Sequence, residues 1–403
     1  MSPLYEAVPV AESVFWTGVI DWAIRDFHGY LTSRGTSYNA FVVKAGKVTL
    51  VDTVKRPFLD EFLARVRSVV NIQDITYIVS NHAEMDHSGC LGELIELAKP
   101  EKVFTSRLGR KALVEHFPHL DGILTAVGDG EQLDLDGLHL QFMETRMLHW
   151  PDSMFSYLPE RNLLFSQDGF GMHLAGYERF DDEIKPSVLY REAAKYYANI
   201  LYPFAPMVIK LLARVEEMGL APDIIAPDHG PIWRADRSSI LEWYERWAAQ
   251  EPTNKAVVCF DTMWGSTEAM ARAVGEGLNS GGCHAKLLPL SVQHRSDIAT
   301  ELLEAGALLV GSPTMNNNLF PTLADTLTYL RGLKPQRKIG NAFGSAGWSG
   351  EAVGQLLAYL EDLKVRLVGE PVRATYRPTS ADLAACVDLG RAVAADLATA
   401  ERQ

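Results

Sequence analysis

His82-Ala83-Glu84-Met85-Asp86-His87 sets two imidazoles and two carboxylates within six residues. The stretch directly follows residues 76–80, a short β-branched run that reads as a buried strand, so the hexapeptide falls in the loop at that strand's end. With alternate loop residues turned to one side, His82 and Glu84 can share one metal ion. Asp86 and His87, displaced around the turn, can serve a second. A lone histidine such as His116, His119 or His139 is more often a surface residue or a satisfied core residue than a ligand; four ligating residues clustered at a strand end are much rarer by chance. His149, Asp168 (after a strand at 162–165) and His229 (after a strand at 223–226) also stand at or beyond strand ends. The set totals four histidines and three carboxylates. With Asp168 bridging, each metal receives two histidines and one terminal carboxylate.

Outward from the hexapeptide, residues 38–52 predict a hairpin with its turn at Ala45-Gly46, and Pro57 opens a helical pattern with Phe58, Phe62, Val66 and Val69 on one face. Residues 138–142 alternate as a half-exposed strand does. The character changes at Gln250-Glu251-Pro252-Thr253-Asn254, a polar linker. Beyond it strand and helix alternate through 256–260, 308–310 and 339–343 to a closing helix from Ser380, the pattern of a doubly wound parallel sheet. Two domains are expected, 1–251 and 252–403.

A net charge of −13 repels phosphate backbones, which argues against a nucleic-acid partner. The four cysteines stand far apart with no C-x-x-C pair, so no zinc ribbon, rubredoxin module or thioredoxin motif is written here. Lone cysteines suit a reducing compartment. With no signal-like start and no continuous apolar run of about 18 residues, a cytoplasmic protein that does not span a membrane is expected.

Three loops of the second half share a chemistry. Thr262-Met263-Trp264-Gly265-Ser266-Thr267 lies between a strand and a helix, offering short hydroxyls and a helix N-terminus to a phosphate. It holds no lysine, unlike a Walker loop, and no G-x-G-x-x-G. Pro313-Thr314-Met315-Asn316-Asn317 and Ser345-Ala346-Gly347-Trp348-Ser349-Gly350 follow two further strands, at the sheet end where such folds bind ligands. Small residues admit a flat ring, asparagine serves its polar edge, and Trp264 or Trp348 can cover it, although tryptophan packing at a dimer interface is an alternative.

The hexapeptide is similar to the H-x-H-x-D-H signature of the metallo-β-lactamase fold, whose hydrolases bind a zinc pair with it. Glu84 stands where the second histidine would be, and a carboxylate there favours iron over zinc. The H-x-E-x-D-H form resembles that of the flavodiiron proteins. Phe27-His28-Gly29-Tyr30, residues 35–40, residues 149–155, Ser166-Gln167-Asp168 and Pro227-Asp228-His229-Gly230 look like the same family, so the resemblance covers essentially the whole chain. It implies an N-terminal metallo-β-lactamase-like αββα sandwich followed by a flavodoxin-like doubly wound parallel sheet. It assigns His82, Glu84 and His149 to one iron and Asp86, His87 and His229 to the other, with Asp168 between them. It places His28 near bound substrate and one of Tyr196 and Tyr197 in the pocket lining. The three loops resemble the FMN-binding face of flavodoxins.

What the resemblance implies functionally is an oxidoreductase that passes electrons through FMN to a non-haem diiron site, reducing O2 to water, NO to N2O, or both. A head-to-tail homodimer, or a dimer of such dimers, would bring one chain's flavin beside its partner's irons. With no rubredoxin module after the flavodoxin-like part, electrons are expected from a separate donor, rubredoxin or reduced coenzyme F420. Two other readings remain open at this point: a zinc-dependent hydrolase fused to a flavodoxin module, and a plain electron carrier with a metal-free N-terminal half.

Overall fold

The chain is described by a computed structural model covering residues 5–400. It divides into two compact units. The first comprises the chain to Phe27, Thr32–Tyr196 and Pro206–Glu245; the second comprises His28–Leu31, Tyr197–Ala205 and the chain from Arg246. Two short segments of the N-terminal half therefore belong with the second unit, and no local sequence pattern marks them.

The first unit is an αββα sandwich. Its larger sheet runs in the order Val8–Ala11, Val14–Trp16, Phe41–Val43, Val48–Val51, Ile75–Ser80, Lys102–Ser106, Leu124–Val127. The expected hairpin is present, with Phe41 opposite Val51 and Val43 opposite Thr49. Side-chain alternation splits these strands between two cores. Phe41, Val43, Tyr77 and Val79 face inward to meet Phe142, Met154, Leu158 and Phe165 of the second sheet. Val42, Leu50 and Ile78 face outward under Phe62, Val66, Leu91 and Leu94, which come from the helices Leu59–Arg67 and Leu91–Ala98. The helix predicted from Pro57 begins as a short tight turn, Arg56–Phe58, before the α-helix proper. The second sheet orders Gln132–Asp134, His139–Glu144, Met154–Leu158, Leu163–Gln167, Ile224–Pro227, with the last two strands parallel.

The stretch Pro186–Glu217 is long and apolar enough by composition to cross a bilayer, with a mean hydropathy of 1.2 over its best window, where the sequence reading expects no such run. A window tolerates interspersed charges that a continuous run does not. Leu189, Tyr196, Leu201 and Val208 are buried in the protein, while 39% of that window is buried in all. A π-helical turn at Tyr197–Leu201 interrupts it.

The second unit is a doubly wound sheet. Its parallel strands order His284–Pro289, Thr253–Phe260, Ala305–Met315, Ile339–Ala346, with short strands Arg366–Leu367 and Val372–Thr375 both paired to the last. The strand expected at 308–310 runs on through Met315, because Pro313 still pairs with Ser345 and Thr314 turns back onto Leu319. The turn is Asn316-Asn317, both left-handed (φ 51° and 60°), the backbone a two-residue hairpin needs and asparagine tolerates.

Helices Ser266–Ser280 and Ser380–Ala400 cross at a pair of glycines, where a methyl on Gly277 would overlap the Val387 carbonyl oxygen and one on Gly390 the Val274 carbonyl. Alanine in a helix interior normally gains about 1 kcal/mol over glycine. Here overpacking of about 1–3 kcal/mol opposes that gain. Gly277→Ala is therefore expected to destabilise; a urea midpoint above that of the parent would show that the helices separate freely.

Candidate metal and flavin sites

All seven predicted metal-ligating residues meet in the first unit. His82 leaves the end of Ile75–Ser80, and Glu84 stands before the single helical turn Met85–Ser88 that carries Asp86 and His87. His149 lies between His139–Glu144 and Met154–Leu158. Asp168 follows Leu163–Gln167, and His229 follows the parallel neighbour Ile224–Pro227. Gly230 then turns with φ 76°, its α-carbon so close to Met172 that an added methyl would sit 2.6 Å from the Met172 carbonyl oxygen.

Two donor groups form, with Asp168 shared between them. Asp168 Oδ2 lies 3.4 Å from His82 Nε2 and 3.0 Å from His149 Nε2, while Glu84 Oε2 is 3.3 Å and 3.2 Å from the same nitrogens. Asp168 Oδ1 lies 3.2 Å from His87 Nε2 and 3.3 Å from His229 Nε2, and Asp86 Oδ2 closes that group at 3.4 Å and 3.3 Å. Each carboxylate oxygen of Asp168 thus faces two histidine nitrogens. Such separations are the edges of a polyhedron whose donors stand about 2.0–2.2 Å from a central ion.

Burial agrees with a bound cation. His82, His87, Asp168 and His229 are almost wholly excluded from solvent. Both Asp86 oxygens, Asp168 Oδ1 and His87 Nε2 lack a well-formed hydrogen bond among the described residues, which is costly unless a cation completes them. Burial pulls the pKa of His82, His87 and His149 down, but the surrounding carboxylates overcome it and hold all three above their ordinary value. Burial pushes Asp168 and Glu84 up, but the same imidazoles hold them below the usual carboxylate range. With no ion, protons do the neutralising.

Behind the donors stands an outer layer the sequence reading did not pick out. Asp152 Oδ2 is 3.1 Å from His82 Nδ1 and accepts the Ala83 N–H at 2.7 Å. Asp228 lies 3.4 Å from His87 Nδ1, and burial together with the nearby Asp52 pushes its carboxyl well up. His229 Nδ1 is 2.7 Å from the Ser37 carbonyl, and Thr36 Oγ1 lies 3.3 Å from it and 2.8 Å from His173 Nδ1. His173, fully buried, sits ring to ring with His229 at 4.7 Å. Asp152 and Asp228 were visible as neighbours of ligand histidines; nothing local in the sequence marks His173.

Tyr196 packs against His229 (6.0 Å between ring centres) and His173 (5.1 Å), whereas Tyr197 packs against Trp247 in the second unit. Of these two, Tyr196 is therefore the one at the metal pocket, where Tyr38 also stands 5.8 Å from His229. His28 occupies a left-handed turn (φ 55°) between Asp26–Phe27 and Tyr30–Leu31, and it is Phe27 that lies edge-on to His229.

In the second unit a cavity of about 500 Å³ opens at the carboxyl ends of the parallel strands. It is lined by Thr262, Met263, Trp264, Ser266, Pro313, Thr314, Asn316, Asn317, Ser345, Ala346, Gly347, Trp348 and Ser349, with Tyr376 as an addition. All three predicted loops contribute. Gly265, Thr267, Met315 and Gly350 do not face it: Gly265 is the left-handed residue before the helix, and Thr267 is buried beneath, 3.4 Å from Ser345 Oγ. Among the described residues no lysine or arginine lines the cavity, so a phosphate there would rest on hydroxyls and backbone at a helix N-terminus. The volume and the small, polar, aromatic-flanked lining fit FMN.

Comparison with known proteins agrees with the two-part architecture. Residues 36–230 match the family described as ODP family beta lactamase, and residues 258–390 match flavodoxin. The chain is 43% identical over 396 residues to a nitric oxide reductase of Moorella thermoacetica, covering 98% of this chain and 99% of that one. It is 45% identical over 380 residues to a rubredoxin-oxygen oxidoreductase of Megalodesulfovibrio gigas, covering 94% of each. The crystal structure of the flavodiiron protein from Giardia intestinalis superposes with a TM-score of 0.94 at 31% identity, covering 100% of this chain and 99% of that one. The fold and these relatives define an oxidoreductase that couples a flavodoxin-like half to a metallo-β-lactamase-like half. The chain belongs to the flavodiiron protein family.

Two outcomes follow from the metal geometry. The raised histidine pKa values mean that pairing stabilises the metal-free protein below the ordinary imidazole value and is lost as pH rises through the elevated one. The melting temperature of the metal-free protein should therefore fall as pH rises from the ordinary imidazole value through the elevated one, while that of the iron-loaded protein should not, since a cation needs neutral imidazoles. A flat metal-free profile in scanning calorimetry would contradict this. Asp152→Asn keeps the shape but weakens the hold on His82, and should lower metal affinity roughly 10–100-fold in chelator competition; unchanged affinity would leave Asp152 a role only in the loop.

Proposed function

We propose that this chain accepts electrons from a separate donor onto FMN and delivers them to an iron pair that reduces O2 to water, NO to N2O, or both. Residues 1–251 form the diiron half in this reading and 252–403 the flavin half. Asp168 carries it: one carboxylate presents an oxygen to each of two donor groups, each made of two histidines and a further carboxylate. One of those groups contains Glu84 in place of a further nitrogen donor, an oxygen-rich set that suits iron better than zinc.

When bound, FMN supplies one- and two-electron steps, and an iron pair supplies open coordination positions for a diatomic gas. The chain's residues do the rest. His82, Glu84 and His149 would hold one iron and Asp86, His87 and His229 the other, with Asp168 offering one oxygen to each. Asp152, Asp228 and the Ser37 carbonyl orient the histidines from behind. Phe27, Tyr196 and His173 wall the His229 side, excluding water from charge that builds during reduction. His28 adds a polar group on the substrate side in this proposal.

In the second unit, the cavity loops would hold the isoalloxazine, with Trp264 or Trp348 to cover it, and the Ser266 helix start would take the phosphate. Trp264, Trp348 and Tyr376 are 94%, 87% and 66% exposed, leaving their faces available to a flavin ring. A second copy arranged head to tail would set this flavin beside the other chain's irons. The four cysteines, all buried and none in a disulfide, support a reducing, cytoplasmic setting. Rubredoxin or reduced coenzyme F420 is the donor in this reading.

Protein loaded with iron and FMN, reduced anaerobically, should consume O2 or NO in proportion to electrons supplied by one of the two donors. Zinc content without iron, together with esterase or thioesterase turnover, would overturn the reading in favour of the hydrolase.

A further inference from the structure

The backbone next to the shared carboxylate is unusual. Two residues beyond Asp168, Phe170 is held in the left-handed region at φ 66°, where a bulky residue is rarely found. Aromatic side chains satisfy both of its backbone groups: the Phe170 N–H donates to Tyr244 Oη at 2.8 Å, and the Phe170 carbonyl accepts from Trp233 Nε1 at 2.9 Å. From Trp233, buried at 1% exposure, an edge-on contact of 6.0 Å reaches the half-buried Trp243. A second of 5.1 Å reaches Tyr190, half-buried at the surface. Three oxidisable rings thus lead from the amide two residues past the shared metal ligand to solvent, all within the first unit.

Packing alone would be served by phenylalanine or leucine at Trp243 and Tyr190, whereas the Trp233 N–H also holds the Phe170 carbonyl. Indole and phenol differ from them in giving up an electron at accessible potentials, and ring centres this close exchange electrons quickly. Tryptophan at the inner end has a further advantage, because its N–H stays hydrogen-bonded while the ring loses an electron. Tyrosine must shed a proton when oxidised, and only at the outer end does solvent stand ready to take one.

We propose that Trp233, Trp243 and Tyr190 form a relay that discharges oxidising equivalents from the iron pair when O2 arrives without enough reduced flavin. The proposal rests on the diiron reading above. Reduction of O2 to two waters takes four electrons and four protons; two ferrous ions give two electrons, and reduced FMN gives the others. With the flavin oxidised, each missing electron is drawn from Trp233, refilled from Trp243 and then from Tyr190, whose phenolic proton passes to solvent. A small-molecule thiol returns a hydrogen atom to the tyrosyl radical. Two passages give O2 + 2 Fe²⁺ + 2 RSH + 2 H⁺ → 2 H2O + 2 Fe³⁺ + RSSR, with atoms and charge balanced.

The test uses iron- and FMN-loaded protein given electrons enough for the irons but not the flavin, then O2 with a nitroso spin trap and no thiol. Peptide mass spectrometry locates the adducts, and freeze-quench electron paramagnetic resonance identifies the radical. Adducts should fall on Tyr190 and Trp243. Trp243→Phe, which keeps a packed ring, should lose most of the Tyr190 adduct while iron loading and far-ultraviolet circular dichroism stay unchanged. Tyr190→Phe should move the adduct inward to Trp243. Equal labelling of Tyr190 in Trp243→Phe would mean oxidation from solution and would overturn the relay. So would adducts confined to Trp150, whose ring lies 5.1 Å from His82. If the iron-loaded protein takes up no O2 at all, the diiron reading falls and the relay with it; uptake without ring adducts removes the relay alone.

Discussion

The pairing of Asp168 with four histidines is the constraint on which the first unit depends. One carboxylate, 1% exposed, faces four imidazole nitrogens at 3.0–3.4 Å. Placing it there requires strand ends from both sheets to converge, because His82 comes from the larger sheet and Asp168 and His229 from the smaller. Burying so many ionisable groups is unfavourable unless opposite charges compensate them. The apolar core between the sheets, with Phe41, Val79, Phe142 and Phe165 fully or almost fully buried, offsets that cost and holds the loops at the sheet rim in register.

Strain clusters around the same carboxylate. Gln167 and Phe170 flank it with positive φ of 40° and 66°. Neither is glycine, so each conformation costs of order 1–3 kcal/mol and persists because its surroundings dictate it. Gln167 donates from Nε2 to the Leu148 carbonyl, next to the ligand His149, and Phe170 is fixed by Tyr244 and Trp233. The bridge is thereby aimed by side chains from three separate segments, which is what a site needing tight geometry requires.

Much of this was legible in the sequence because local chemistry encodes it. Short apolar, β-branched runs at 40–43 and 76–80 mark strands, and the six-residue cluster marks a metal site whatever lies around it. The three flavin loops are legible for the same reason: small and hydroxyl residues follow β-runs, and all three reach one cavity. What local chemistry does not encode is tertiary. His173 reads as an ordinary histidine, and only folding brings it 4.7 Å from His229. Tyr196 and Tyr197 are adjacent and chemically identical, so their opposite fates depend on helix phase, which the π-helical turn at Tyr197–Leu201 alters. The strand at Ala305–Met315 outran its apolar core because Gly311-Ser312-Pro313 looks like a loop, yet pairing with the neighbouring strand keeps it extended.

The second unit solves the opposite electrostatic problem. Among the described residues its cavity gathers no charge of either sign, so a dianionic phosphate held there would be neutralised only by dipoles. Neutral donors stabilise an anion less than a lysine does, but they also leave the ring's redox states less biased toward the anionic forms. A lysine beside the ring would favour negative charge on it and make the flavin a stronger acceptor and a weaker donor. A flavin that must release electrons to an iron pair is better served by a site without cations. The first unit concentrates charge around its metals to fix their geometry, and the second excludes charge around its ring to leave electrons free to move on.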